Sequence, residues 1–170
     1  MKAKMAGAAA FLIVATALSA PAEAYSPLPT PNKDYRLVNA NLGTAQCFED
    51  RGRGEQVYLV SGDACKGDQA VWSFLQETPA FVMRLKNTRW HGCIDYRDKE
   101  DVHTGTCDPE QGNPATLRLE KRTDWTTGQG FWIIAEGKCL TPQTDFPPAG
   151  VRFMKCEEGI GAQEWIALPV

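Results

Sequence analysis

Apolar residues arrive along this chain in short bursts, separated by polar and glycine-containing turns. Three bursts stand out: Tyr35-Arg36-Leu37-Val38, Phe81-Val82-Met83-Arg84-Leu85 and Phe131-Trp132-Ile133-Ile134. Each is rich in aromatic or β-branched side chains and bounded by turn residues, which predicts a strand. Turns follow at Asn41-Leu42-Gly43, Asn87 to Gly92 and Glu136-Gly137-Lys138, and a second strand is predicted after each. Third strands are predicted over Val57-Tyr58-Leu59-Val60, weakly near Val102, and over Val151-Arg152-Phe153-Met154. Fourth strands fall on Val71-Trp72-Ser73-Phe74, Thr116-Leu117-Arg118-Leu119 and Trp165-Ile166-Ala167-Leu168. Nowhere is a period of 3.6 sustained, so helices are not expected. Many short strands at regular spacing indicate a closed all-β architecture.

The cysteines turn this pattern into a repeat. Cys47, Cys93 and Cys139 lie 46 residues apart, each in a predicted second strand, and Cys65, Cys107 and Cys156 follow them in turn. A fixed period of this size means one supersecondary unit used three times. Four strands in each of three units is the strand count of a β-trefoil. Six cysteines allow fifteen pairings, but a copied unit copies its internal bridge. The repeat therefore predicts Cys47–Cys65, Cys93–Cys107 and Cys139–Cys156. Closing loops of about 15 residues is worth roughly 3 kcal/mol each in the chain-entropy model. A zinc site is the competing use of the cysteines. There is no Cys-x-x-Cys, and only His91 and His103 could assist, so no metal or other cofactor is expected.

Disulfides require an oxidising compartment, and the start of the chain supplies the route. Lys2 and Lys4 precede the apolar run Ala8 to Ala15, and a small-residue exit follows at Ala22-Glu23-Ala24. Residues 1–24 read as a secretory signal peptide cleaved after Ala24, which makes the protein secreted. The run is too short for the ~20 apolar residues of a spanning helix, so no membrane span is expected. Residues 25–34 form a proline-rich lead-in, extended and exposed, and the domain covers 35–170. The chain's formal net charge is −3 with its charges interspersed. Nucleic acid and anionic membranes reward a basic patch, so neither is an expected partner.

Short motifs in register with the cysteines resemble the ricin B-type lectin repeat. That family's unit has a glycine turn, Cys-Leu-Asp or similar, a second cysteine, and Gln-x-Trp near its end. Here the matches are Cys93-Ile94-Asp95 and Gln163-Glu164-Trp165, with Gly92 and Gly137 just before their cysteines. The first unit reads Gln69-Ala70-Val71-Trp72, with Gln one place early, and the middle unit reads Ala115-Thr116-Leu117, losing both Gln and Trp. The signal, the proline-containing lead-in and the segment Pro79 to Leu85 ahead of Cys93 are also similar to the accessory A and C subunits of cytolethal distending toxins. These resemblances imply a β-trefoil that binds a glycan or glycoprotein, with partner toxin subunits as a further implication.

The resemblance also implies where a sugar would sit. An Asp soon after the first cysteine accepts hydrogen bonds from hydroxyls, an aromatic ring stacks on the sugar, and a polar amide completes the set. The middle unit comes nearest, with Asp95 at the Asp position and His103 four residues before Cys107. Gly105 stands where the aromatic is usual; Asn113 would reach in from the following loop, and Trp90 would supply a ring from the preceding turn. In a purely structural reading Asp95 caps a turn and His103 is a solvated loop residue. The first unit has Glu49-Asp50 with Asp63 at the platform position; the third has Thr141-Pro142 with Met154 there, and is read as dead. Trp72 and Trp165 are assigned to the core, with Leu117 filling the same place. Trp125 is either an exposed anchor or folded over the barrel rim.

Catalytic readings fare poorly. Ser26, Ser61 and Ser73 lie outside any Gly-x-Ser-x-Gly setting, and the paired cysteines leave no free thiol. Glu49/Asp50 and Glu157/Glu158 are adjacent, and on a strand such neighbours point to opposite faces. Gly52-Arg53-Gly54 lacks the phosphate-loop pattern. The chain is therefore expected to bind and not to catalyse. The alternative is a protein-interaction trefoil of the protease-inhibitor type, presenting a loop such as Arg51 to Gly54, or an assembly subunit without sugar binding.

Overall fold

A computed structural model describes residues 28–52, 54–77, 83–95, 101–121, 130–144 and 149–170. Residues 1–27, which include the expected signal peptide, and Arg53, Phe81, Val82 and Trp125 lie outside the described residues. The first four strands are β1 (Asp34–Asn39), β2 (Gln46–Glu49), β3 (Tyr58–Ser61) and β4 (Trp72–Gln76). The next four are β5 (Met83–Asn87), β6 (Cys93–Asp95), β7 (His103–Gly105) and β8 (Arg118–Lys121). The last four are β9 (Phe131–Ala135), β10 (Lys138–Gln143), β11 (Gly150–Lys155) and β12 (Trp165–Pro169). Every predicted strand has its counterpart. His103 sits on β7, not in a loop, because the chain from Val102 must pair with both neighbouring hairpins.

Six strands close a ring. β1 pairs β4, β4 pairs β5, β8 pairs β9, β9 pairs β12 and β12 pairs β1, all antiparallel. A bridge between Met83 and Leu117 joins β5 to the chain entering β8 and completes the barrel. The hairpins β2–β3, β6–β7 and β10–β11 close one end. Gly150 pairs Tyr58, Gln56 bridges His103, and the Val102 N–H donates to the Val151 carbonyl oxygen at 3.0 Å, so each hairpin meets the other two. This is the β-trefoil expected from three copies of four strands, and closure leaves the barrel no free edge.

Alternation along the strands fills the interior. Trp165 and Ala167 of β12 point to the main core, whereas Ile166 and Leu168 pack outside against Val38, Cys47 and Ala70. The disulfides are those the repeat predicts, Cys47–Cys65, Cys93–Cys107 and Cys139–Cys156. The first and third each anchor a small apolar cluster outside the barrel. Of the lead-in, Pro29 is buried and the Asn32 N–H bonds the Phe74 carbonyl oxygen at 2.8 Å. The seam against the barrel thus begins ahead of Tyr35.

Trp72 and Trp165 are fully buried, as assigned. Their indole N–H groups donate to the Phe48 and Leu140 carbonyl oxygens at 2.8 and 2.9 Å, tying the barrel to the hairpins. Leu117 occupies the third such place, and its side chain has no N–H to give. There the Ala115 backbone N–H takes over, bonding the Ile94 carbonyl oxygen at 2.7 Å. This is possible because the middle unit runs extended at Pro114, which bridges Asp95, where the other two units make short 3-10 turns at Asp68–Ala70 and Gly161–Gln163.

A second threefold set crosses the unit boundaries. Asn39 and Asn87 are fully buried at the ends of β1 and β5, and Ala135 ends β9. Asn39 donates to the Ala162 and Glu164 carbonyl oxygens at 2.8 and 3.2 Å; Asn87 donates to those of Gln69 and Val71 at 2.9 and 3.2 Å. Each Asn thereby binds the segment just ahead of the preceding unit's tryptophan. Ala135 cannot, and a small cavity of about 80 Å³ lies between it and Pro114, Ala115 and Thr116. The middle unit has lost its tryptophan and its asparagine clamp together.

Candidate functional site

Each unit boundary brings together the end of a second strand, the segment before Trp72, Leu117 or Trp165, and the turn that opens the next unit. The three boundaries differ because their side chains differ. At the third, Gln163 fills the space. Its amide N–H donates to Thr141 Oγ1 at 3.1 Å and to the Lys155 carbonyl oxygen at 2.8 Å, and its oxygen accepts the Glu157 N–H at 2.8 Å. Both ends of the Gln163 amide and the Thr141 hydroxyl are thereby engaged, and Met154 at the platform position lies beside Gln143.

The first boundary is open. A cleft of about 290 Å³ is lined by Glu49, Asp50, Arg51, Gln69, Arg89 and Trp90. Trp90 is 42% exposed, and its ring carries the Arg89 guanidinium 5.0 Å from the centroid. Asn87 sets this wall: its side-chain oxygen accepts the Arg89 and Trp90 backbone N–H groups at 3.1 and 3.0 Å. Asn87 also holds Gln69 on the facing wall, so one buried amide fixes both sides. The Gln69 side chain lies against Gly67, where a Cβ would fall 2.5 Å from Gln69 Oε1. Glu49 Oε2 pairs with Arg51 Nε at 3.4 Å, and the Arg51 guanidinium lies 4.6 Å from the Tyr58 ring centroid.

Asp50 is fully buried at the base. Its Oδ1 accepts the Gly52 N–H at 2.9 Å and the Thr104 hydroxyl at 2.9 Å, while Oδ2 has no partner among the described residues. Burial pushes its carboxyl above the ordinary carboxylate range, the two hydrogen bonds pull it back, and the neighbouring Glu49 charge adds to the rise.

The residues singled out from the sequence fall into separate places. Asp95 and His103 are directly paired across β6 and β7, and Pro114, next to Asn113, bridges Asp95. Asn113 itself lines the small cavity beside Ala135 and Glu136. Asp95 is only 2% exposed, and the His103 ring nitrogen Nδ1 lies 3.2 Å from the Gly54 carbonyl oxygen. Trp90 lines the first-boundary cleft beside Glu49 and Gln69. Asp63 is on the surface, paired with Lys66 at 2.7 Å. The loop from Arg51 is tied down: Gly54 N–H donates to the Thr104 carbonyl oxygen at 2.8 Å. Glu49, Gln69, Arg89 and the positioning Asn87 were not singled out as site residues. The available signal was Trp90, an aromatic residue in a polar turn.

Among the described residues, no group of three or more His, Cys, Asp or Glu is gathered to hold a metal ion, and no helix is long and apolar enough to cross a membrane.

No protein-family model matches the chain, and no curated protein matches it. Solved structures do. The cytolethal distending toxin from Actinobacillus actinomycetemcomitans aligns over 82% of this chain and 92% of its own, with TM-score 0.65 and 15% identity. The Rhizoctonia solani agglutinin aligns over 85% and 100%, with TM-score 0.64 and 17% identity. A mosquitocidal holotoxin aligns over 81% of this chain, which spans 16% of that chain, with TM-score 0.64 and 14% identity. At such identities the likeness is one of fold. The chain is a β-trefoil, similar in structure, as its motifs implied, to ricin B-like trefoils and to those of the cytolethal distending toxins.

Proposed function

We propose that this chain is a secreted, non-catalytic binding protein whose trefoil recognises a carbohydrate or a glycosylated surface. The observation that carries this reading is the first-boundary cleft, where an exposed indole faces a carboxylate and an amide. That is the combination a sugar needs: a plane for its apolar face and fixed polar groups for its hydroxyls. Trp90 is the stacking platform; Glu49 and Gln69 are the polar contacts. The pairing of Asp95 with His103 supports a second contact region in the middle unit, to which Asn113 would contribute from the following loop. Rigidity comes from closure and disulfides, so ligand binding orders little of the protein.

The likeness to a cytolethal distending toxin supports an accessory role, in which the trefoil attaches a partner subunit to cell-surface glycans. Glycan-array binding by the exported protein, repeated with Trp90→Ala and with Asp95→Ala/His103→Ala, tests the reading. Loss with the first variant assigns the cleft, and loss with the second assigns the middle unit. Variants that keep their melting temperature while all glycan signal is absent from the wild type would refute it. Co-purification of the native exported protein then reports whether it carries a partner.

A further inference from the structure

The cleft separates its charges by depth. Glu49 is 9% exposed in its side chain and engaged by Arg51, and Asp50 is buried beneath it. The two guanidiniums occupy the rim: the Arg51 side chain is 47% exposed, and Arg89 is exposed with no ion-pair partner among the described residues. Both lie over aromatic rings, Arg51 over Tyr58 and Arg89 over Trp90. A guanidinium laid on a ring uses its face and keeps its N–H edge, the edge that grips a carboxylate with two parallel bonds. A ligand entering this cleft therefore meets, at its rim, a guanidinium with no ion-pair partner among the described residues, beside the indole on which it would stack. The chain as a whole, at a net charge of −3, supplies no general attraction for anions.

We propose that the ligand of this cleft carries a carboxylate on its sugar ring: an acidic sugar of the sialic or uronic type, with Arg89 receiving the carboxylate and Trp90 the ring. This rests on the reading of the chain as a glycan-binding protein and names the ligand class of the same site. A neutral hexose would leave the Arg89 fork unused. A carboxylate recruits it without disturbing the Glu49–Arg51 pair.

The test is calorimetric titration of the exported protein with the methyl glycosides of N-acetylneuraminic acid and glucuronic acid, against methyl galactoside and methyl glucoside. The wild type is expected to prefer an acidic glycoside by about tenfold or more, the scale of a hydrogen bond to a charged group. Arg89→Gln is expected to remove that preference, while Lys155→Gln, a charge change elsewhere, keeps it. Equal affinity for charged and neutral sugars would overturn the inference and leave glycan binding standing. A preference that survives Arg89→Gln would overturn it too, by moving the site. Failure to bind either acidic glycoside would overturn the inference, and absence of all glycan-array signal would overturn the reading on which it rests. Tighter binding of an aspartate-rich hexapeptide than of any sugar would overturn it in favour of a protein partner.

Discussion

Asn87 accepts the Trp90 backbone N–H at 3.0 Å while its own amide donates to the Gln69 carbonyl oxygen at 2.9 Å. A single fully buried side chain thus spans the boundary between the first and second units and sets the separation of the cleft walls. Its threefold counterpart Asn39 performs the same bonding at a boundary with no such cleft, which provides an internal control.

Asn87→Ala leaves buried backbone groups without partners. Its expected cost is about 2 kcal/mol, within the range for orphaned buried polar groups. Asn39→Ala is expected to cost a similar amount. Only Asn87→Ala should also weaken ligand binding at the cleft, because only it releases Trp90 and Gln69. Thermal unfolding and ligand titration of both variants check this; equal effects on binding would deny the positioning role.

Ala135→Asn restores the missing clamp. The cavity beside Ala135 is lined by Pro114 and Thr116, whose carbonyl oxygens correspond to those held by Asn39 and Asn87. A satisfied buried amide and a filled void should stabilise the protein by about 1 kcal/mol. A lower melting temperature would mean that the extended path of the middle unit has closed off the site.

Asp50→Asn should change the pH dependence of stability in one direction. Because burial raises the folded-state pKa of Asp50, its protonation favours the folded protein. The stability from this group is fully present below the ordinary value of 3.8 and lost as pH rises through the folded pKa. The advantage of the Asn variant over the wild type should therefore be greatest at neutral pH and shrink as pH falls toward 3.8. Denaturant titrations of both proteins at several pH values read the difference, and a gap constant with pH would show that Asp50 does not titrate in this window.

Trp165→Leu should be far more damaging than the natural Leu117 suggests. In the middle unit the Ala115 N–H serves the Ile94 carbonyl oxygen. In the third unit the Gln163 N–H is committed to the Ile160 carbonyl oxygen within its 3-10 turn, so the Leu140 carbonyl oxygen would lose its donor. Lost volume and an orphaned acceptor together predict a cost of about 3 kcal/mol, measurable by denaturant unfolding.

Much of this was legible before folding. The aromatic and β-branched bursts placed the strands, and the even spacing of Cys47, Cys93 and Cys139 selected three local bridges. The recurrence of Trp72 and Trp165 marked them as core. Less legible was the clamp, because Asn39 and Asn87 stand beside turns where Asn needs no special reason. The cleft was harder still. Trp90 precedes Cys93 closely, so sequence proximity assigns it to Asp95, whereas folding sets it against Glu49 and Gln69.

The division has a physical cause. Strand alternation, turn residues and a copied disulfide loop are local properties, written within one unit, so the chain alone determined the trefoil, its bridges and its core. Which unit's turn closes over which unit's strand end depends on ring closure, since β4 pairs β5 and β12 pairs β1 across unit boundaries. Only the tertiary structure decided that Trp90 and Arg89 would face the carboxylates of the unit before them, with the negative charges deep and the positive ones at the rim.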